Sequence, residues 1–189
     1  MKVLALTRKP GEPLTNPPSL EVIVDSATVP VSRPLFLPDF DSDWCVKFYP
    51  AFKISRLGKD ISAKFASRYF DSFTVALRLY PLGSEAWLSA NNLTKGVLGI
   101  YDYCLAFGEW QPWSDISGDV SVGIDGNDIN LSAGMIEIDR VIESVSHYTT
   151  LKTGDVILPC ELPVCFPAIA SSDVKVKINS ESEFEFRIR

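Results

Sequence analysis

Two stretches of strict alternation limit what this 189-residue chain can fold into more than anything else in it. Val120, Val122 and Ile124 run up to Asp125, Gly126 and Asn127, and Ile129 and Leu131 continue beyond. Val174, Val176 and Ile178 are answered by Phe184, Phe186 and Ile188 across residues 179–183. Apolar residues at every second position turn one face of a strand toward a core and the other toward water. Asp-Gly between two such runs is a hairpin signal, because the tight turn needs positive φ. Two β-hairpins are expected, and a chain that carries them must build antiparallel sheet.

The remaining pattern adds strands and a few helices. Val3 and Ala5 mark a first strand. Residues 8–20 hold four prolines and one glycine and read as a loop. Phe48, Pro50, Phe52 and Ile54 alternate with Lys47, Tyr49, Ala51 and Lys53. Pro50 removes one ladder donor, so this strand is expected at a sheet edge or bulged there. Residues 73–80 have strand composition. Helices are expected over 60–69, with Ile61, Phe65 and Tyr69 on one face, over 84–93 from Ser84, and over 136–147. The last places Ile138, Val141, Ile142 and Val145 on one face, with Asp139 in the first turn.

Composition excludes several classes. The chain is 46% hydrophobic and 22% charged, ordinary values for a globular protein, and long enough for one domain, residues 1–189, with a full core. A net charge of −6 and no clustered basic face argue against nucleic acid. No apolar run approaches the roughly 18 residues of a membrane span. The apolar part of MKVLALTRKP is too short for a signal peptide, so a cytoplasmic protein is expected. Cys45, Cys104, Cys160 and Cys165 contain no C-x-x-C pair, and His147 is the single histidine. Structural zinc and a Cys–His nucleophile are therefore poorly supplied, and the cysteines are read as reduced thiols.

Asp39, Asp41 and Asp43 have the start of a calcium loop, but Trp44 stands where glycine is needed and Pro50 where a bidentate glutamate is needed. A solvated acidic turn fits better. Glu85 and Glu109 are further acids of note, Glu109 within a structural turn. Trp110 and Trp113 bracket Pro112 and are read as core packing before partner contact.

Residues 34–78 contain FLPDF, then Lys47 and Tyr49 two apart on a strand, then KISRLGKDI, ASRY and Arg78. GEWQPW begins at Gly108, residues 146–157 read SHYTTLKTGDVI, and EFEFRIR ends the chain. In order and spacing these resemble the fumarylacetoacetate hydrolase family over roughly three-quarters of the chain. The resemblance implies an α+β fold, mainly β: a mixed β-sandwich roll with a few peripheral helices. It also implies a homodimer. In the family members of this kind, two glutamates of an E-x-E strand and a later aspartate hold Mg²⁺ or Mn²⁺.

Here those positions fall on Lys47, Tyr49 and Arg78. Residues i and i+2 of a strand share a face, so the clamp geometry is kept. The chemistry is not: an ammonium and a guanidinium have no lone pair to give, and a phenol is neutral at pH 7. The family's catalytic lysine falls on Gly99, with Asp102 retained nearby. Its glycine-rich late loop becomes PCELPVCF over 159–166. The expected protein is a degenerate, non-catalytic relative with no cofactor, acting by binding a small ligand or another chain such as an active paralogue. The rival is an active hydrolase, isomerase or decarboxylase on a small keto-acid with a relocated site. Lys47 or Arg78 is expected to fill the emptied metal position and pair with an acid, Asp102 first.

Overall fold

The computed structural model describes residues 1–116, 119–179 and 182–189. Its strands are β1 (Lys2–Leu6), β2 (Leu20–Val24), β3 (Thr28–Pro30), β4 (Trp44–Ile54), β5 (Phe70–Pro81), β6 (Leu105–Phe107), β7 (Gln111–Pro112), β8 (Val120–Ile124), β9 (Asn127–Leu131), β10 (Val156–Leu158), β11 (Cys165–Pro167), β12 (Ser172–Ile178) and β13 (Ser182–Ile188). The α-helices are α1 (Leu82–Ala90), α2 (Ala133–Ile136) and α3 (Ile138–Tyr148), with short 3-10 turns between.

Among the described residues the strands form two sheets. The larger runs β2-β1-β10-β4-β5-β6-β3, with β11 also on β4 and β7 on β5; the smaller runs β13-β12-β8-β9. The larger sheet is mixed: β1 pairs β10 in parallel and β3 pairs β6 in parallel, while β4 and β5 are antiparallel. Both alternating stretches form the expected hairpins. Asp125 and Gly126 take φ of 45° and 83°, as their tight turn demands. Part of the second turn, 179–183, lies outside the described residues.

Alternation along β4 explains how the layers join. Val46, Phe48, Phe52 and Ile54 enter one core together with Val122, Val176, Phe186 and Val145, which come from the smaller sheet and α3. Tyr49 and Ala51 enter a second core on the other face with Val3 and Val156. With both faces buried, β4 is a central strand, and its only partly exposed positions are Lys47 and Lys53.

That corrects the placement of Pro50. It sits without a bulge opposite Val75 on β5. The Leu162 amide donates to the Phe48 carbonyl from the side away from β5. Backbone groups of alternate residues point the same way, so Pro50 also turns its nitrogen away from β5. There β11 pairs residues 45–47 and β10 pairs 52–53, leaving a gap. The proline occupies that gap, where no ladder amide is needed.

The helix expected over 60–69 is also corrected. Asp60 has φ of 51°, which cannot start an α-helix, and its amide donates to the Ser146 carbonyl. A 3-10 turn over Ala63–Arg68 takes the helix's place, burying Ala66 but leaving Phe65 exposed. Helix α1 opens two residues before Ser84, and α3 buries the four residues named for it.

Candidate functional site

The three residues that the resemblance singles out converge. Lys47 on β4 lies directly opposite Arg78 on β5, and Tyr49 is opposite Ala76. Cross-strand partners project to the same face, so Lys47, Tyr49 and Arg78 form one cluster, with Tyr80 beside it. The Lys47 ammonium donates to Glu161 Oε2 at 3.2 Å and lies 3.8 Å from the centroid of the Tyr80 ring. The Tyr49 hydroxyl donates to the same Glu161 oxygen at 3.3 Å. Arg78 donates through Nη1 to Glu21 Oε2 and through Nη2 to the Leu98 carbonyl at 2.6 Å.

Burial sets the electrostatics. Desolvation alone would lower the Arg78 guanidinium, but the Tyr49 oxygen and the Glu21 carboxylate outweigh it and raise its pKa. Burial pushes the Tyr49 phenol well above its ordinary value despite Arg78 next to it. The cluster is thus a cation held by a carboxylate (Arg78–Glu21), a second such pair (Lys47–Glu161), and a neutral phenol between them. A divalent cation would need oxygen donors where two permanent cations stand. The donor set does not fit Mg²⁺ or Mn²⁺. Among the described residues no three His, Cys, Asp or Glu side chains are grouped to hold one.

The acids are not the expected one. Asp102 is exposed and contributes nothing to the cluster. Glu21 comes from β2 and Glu161 from the segment after β10, both brought in by sheet topology. Glu161 had a visible signal, a bulky acid in the altered 159–166 loop. Glu21 had none, because it lies in the N-terminal stretch that carries no motif. Gly99, where the resemblance puts a catalytic lysine, is buried, and a Cβ there would collide with the Val22 carbonyl oxygen. A lysine cannot be placed at Gly99 without moving β2.

A cavity of about 340 Å³ opens over the cluster, lined by Glu21, Lys47, Tyr80, Glu85, Lys95 and Glu161 among others. That is within the range of small-ligand pockets. At its rim Lys95 donates to Glu85 at 2.6 Å. Burial would raise the Glu85 carboxyl, but the Lys95 contact prevails and lowers it. Arg8, also in the lining, is held by backbone carbonyls and by Glu137: its Nε donates to the Pro159 carbonyl at 3.0 Å, Nη2 to the Ile136 carbonyl at 2.5 Å and Nη1 to Glu137 Oε2 at 3.3 Å. It holds the 159–166 segment in place.

Other residues singled out in the sequence lie elsewhere. The Asp41 carboxylate accepts the amides of Asp43 at 2.9 Å and Ser84 at 2.5 Å. It therefore ties the acidic turn to the start of α1 rather than facing an ion. His147 ends α3 and meets Asp60 at 3.0 Å in a larger groove of about 700 Å³ that shares no residue with the cluster. Trp113 packs on Phe52 and Phe73, and Trp110 on Phe107. Glu109 is exposed on its turn.

No known family profile matches this sequence, and no curated protein does. Solved structures do match. A Yersinia pestis CO92 protein described as of the fumarylacetoacetate hydrolase family superposes with a TM-score of 0.85 at 19% identity, covering 100% of this chain and 92% of its own. The fumarylpyruvate hydrolase of Pseudomonas aeruginosa, solved with Mn²⁺ and pyruvate, gives 0.84 at 16% identity over 100% and 89%. A 5-carboxymethyl-2-hydroxymuconate delta-isomerase from Mycobacterium smegmatis gives 0.81 at 18% over 99% and 78%. At this identity the likeness establishes the fold: the one shared by fumarylacetoacetate hydrolase family proteins.

Proposed function

We propose that this chain, which carries the fumarylacetoacetate hydrolase fold, is a single-domain non-catalytic version of it that has lost its metal site and works by binding. The observation that carries this reading is the pair of ion bridges, Lys47–Glu161 and Arg78–Glu21, at the positions where the resemblance places metal ligands. Each cation is matched by a carboxylate within the protein. A metal would have to displace two ammonium-type groups and leave their partner acids to rearrange. Metal polarisation supplies several kcal/mol of transition-state stabilisation in hydrolytic sites of this kind, and Gly99 offers no amine in its place. The cavity above the pairs retains the size for a small ligand, and a homodimer is the assembly that the resemblance supports.

The deciding experiment is turnover. Purified protein incubated with an acylpyruvate and millimolar Mn²⁺ is expected to give no hydrolysis above background. Hydrolysis that EDTA abolishes would overturn the proposal. Light scattering is expected to give twice the chain mass of 20.9 kDa; a mass equal to one chain would remove the dimer from it.

A further inference from the structure

The face of β4 that holds Lys47 also holds a thiol, and the neighbouring strand supplies a second. Cys165 on β11 lies directly opposite Lys47, and Pro167 is opposite Cys45. Cys45 and Lys47 share a face, as do Cys165 and Pro167, so Cys165 is one diagonal step from Cys45 on the same side of the sheet. Diagonal partners in an antiparallel pair lie about 7–8 Å apart at Cα, with side chains closer. The diagonal step brings the two thiols near each other, and Cys165 is among the groups that act on the Cys45 thiol.

Their surroundings differ in a useful way. Cys45 is buried with Tyr80 and Leu98, while Cys165 is exposed. Burial first, and then the contact with Cys165, push the Cys45 thiol up to about 12. Cys45 therefore stays a thiol near neutral pH, and the accessible member of the pair is Cys165. Cys104 and Cys160 are both buried.

We propose that Cys45 and Cys165 form a thiol-oxidation site in which hydrogen peroxide closes an intramolecular disulfide. Cys165 sulfur attacks one peroxide oxygen. An S–O bond forms, the O–O bond breaks, and the leaving hydroxide takes up the thiol proton as water. Cys45 sulfur then attacks the sulfenic sulfur. The S–S bond forms, the S–O bond breaks, and a second water leaves with the Cys45 proton. Two thiols lose two electrons in all, and one peroxide becomes two waters.

A disulfide needs its Cα atoms within about 4.4–6.8 Å, so closure asks β11 to shift by roughly an ångström toward Cys45. β11 is only three residues long and sits between two irregular segments, so a small shift disturbs few ladder contacts. Glu161 lies four residues before Cys165 on the same segment and lines the cavity, so a shift of β11 toward Cys45 also acts on the cavity wall.

The test uses reduced full-length protein exposed to hydrogen peroxide, freed of peroxide, unfolded and alkylated. The expected product has lost the mass of two hydrogen atoms and alkylates at two of the four cysteines. Its digest contains Cys45 linked to Cys165. The substitution Cys165→Ser, at an exposed position that tolerates it, is expected to keep its three remaining thiols alkylatable after the same exposure, and Cys104→Ser is expected to form the link as wild type does. Four alkylated cysteines after exposure, sulfinic acid at Cys165 without the link, a link between two chains, or thiol loss in the Cys165→Ser protein would each overturn the site.

Discussion

Two close contacts between a basic and an acidic side chain do opposite work on this molecule. Arg78 and Glu21 meet inside the larger sheet with side chains only 1% and 16% exposed, whereas His147 and Asp60 meet at 3.0 Å with 75% and 61% exposed. In the open groove, water screens the charges whether or not they touch, and the pair contributes little. Inside the sheet the guanidinium is almost wholly cut off from solvent, and it depends on the carboxylate beside it. The buried pair need not make the fold more stable than apolar residues would. Once built, however, it is costly to break from one side. A charged residue inside a sheet is thus informative in proportion to its burial.

The sharpest way to break this contrast is Arg78→Met. It leaves Glu21 beside an apolar side chain, and equilibrium denaturation should show a loss of roughly 3–5 kcal/mol. The double substitution Arg78→Met with Glu21→Leu should recover most of that loss. A single-mutant loss below about 1 kcal/mol would place Glu21 in water and remove the distinction between the pairs.

Lys47→Glu tests the intermediate case, since Lys47 and Glu161 are 16% and 21% exposed. It would set two carboxylates together beneath the Tyr80 ring and destabilise by about 2 kcal/mol, the scale of a lost hydrogen bond to a charged group. Arg78 would still repel a cation, so the melting temperature should not respond to Mn²⁺. An unchanged melting temperature without metal, or a clear rise with it, would mean that the site is exposed or still latent.

The Lys2–Asp155 pair extends the contrast along the pH axis. Asp155 accepts the Lys2 amide at 3.0 Å and the Lys152 amide at 2.8 Å, and it also faces the Lys2 ammonium. Burial pulls its carboxyl up, but these donors outweigh it and hold the pKa below its ordinary 3.8. A depressed carboxylate contributes its stability above the unfolded pKa and loses it as pH falls through the folded one. Asp155→Asn should therefore cost about 1–3 kcal/mol at pH 7, with the two unfolding curves converging as pH drops below about 4. A gap that stays constant down to pH 2 would assign the cost to packing instead. The smallest effect belongs to the open pair: His147→Ala should change stability by no more than about 0.5 kcal/mol, and a loss above 2 would show that the groove is less exposed than its geometry implies.

Much of the fold was legible in the chain itself. Strict alternation marked both hairpins, and 3.6-residue periodicity marked α3, because a half-buried element repeats its environment at its own geometric period. The spacing of Lys47 and Tyr49 was enough to put them on one strand face. The failures share a cause. Pro50 seemed to demand an edge, yet a central strand accommodates it because two separate partners, β10 and β11, leave a gap at that residue. Asp60 seemed to open a helix, yet its amide is taken by Ser146 from α3, which leaves it in a left-handed conformation.

Local pattern, by itself, determined many of the strands and helices, which faces they bury, and that Lys47 and Tyr49 share one strand face. Tertiary structure alone decided what Lys47 and Arg78 would touch. Glu21 is 57 residues from Arg78 in sequence, and Glu161 is 114 from Lys47. Glu161 reaches Lys47 because the segment after β10 folds back along β4, and Glu21 reaches Arg78 because β2 packs on the 3-10 turn Gly96–Gly99, whose Leu98 carbonyl accepts from the same guanidinium. An ion pair acts over a few ångströms, and no periodicity in a chain records which distant strands will bring two charges within that range.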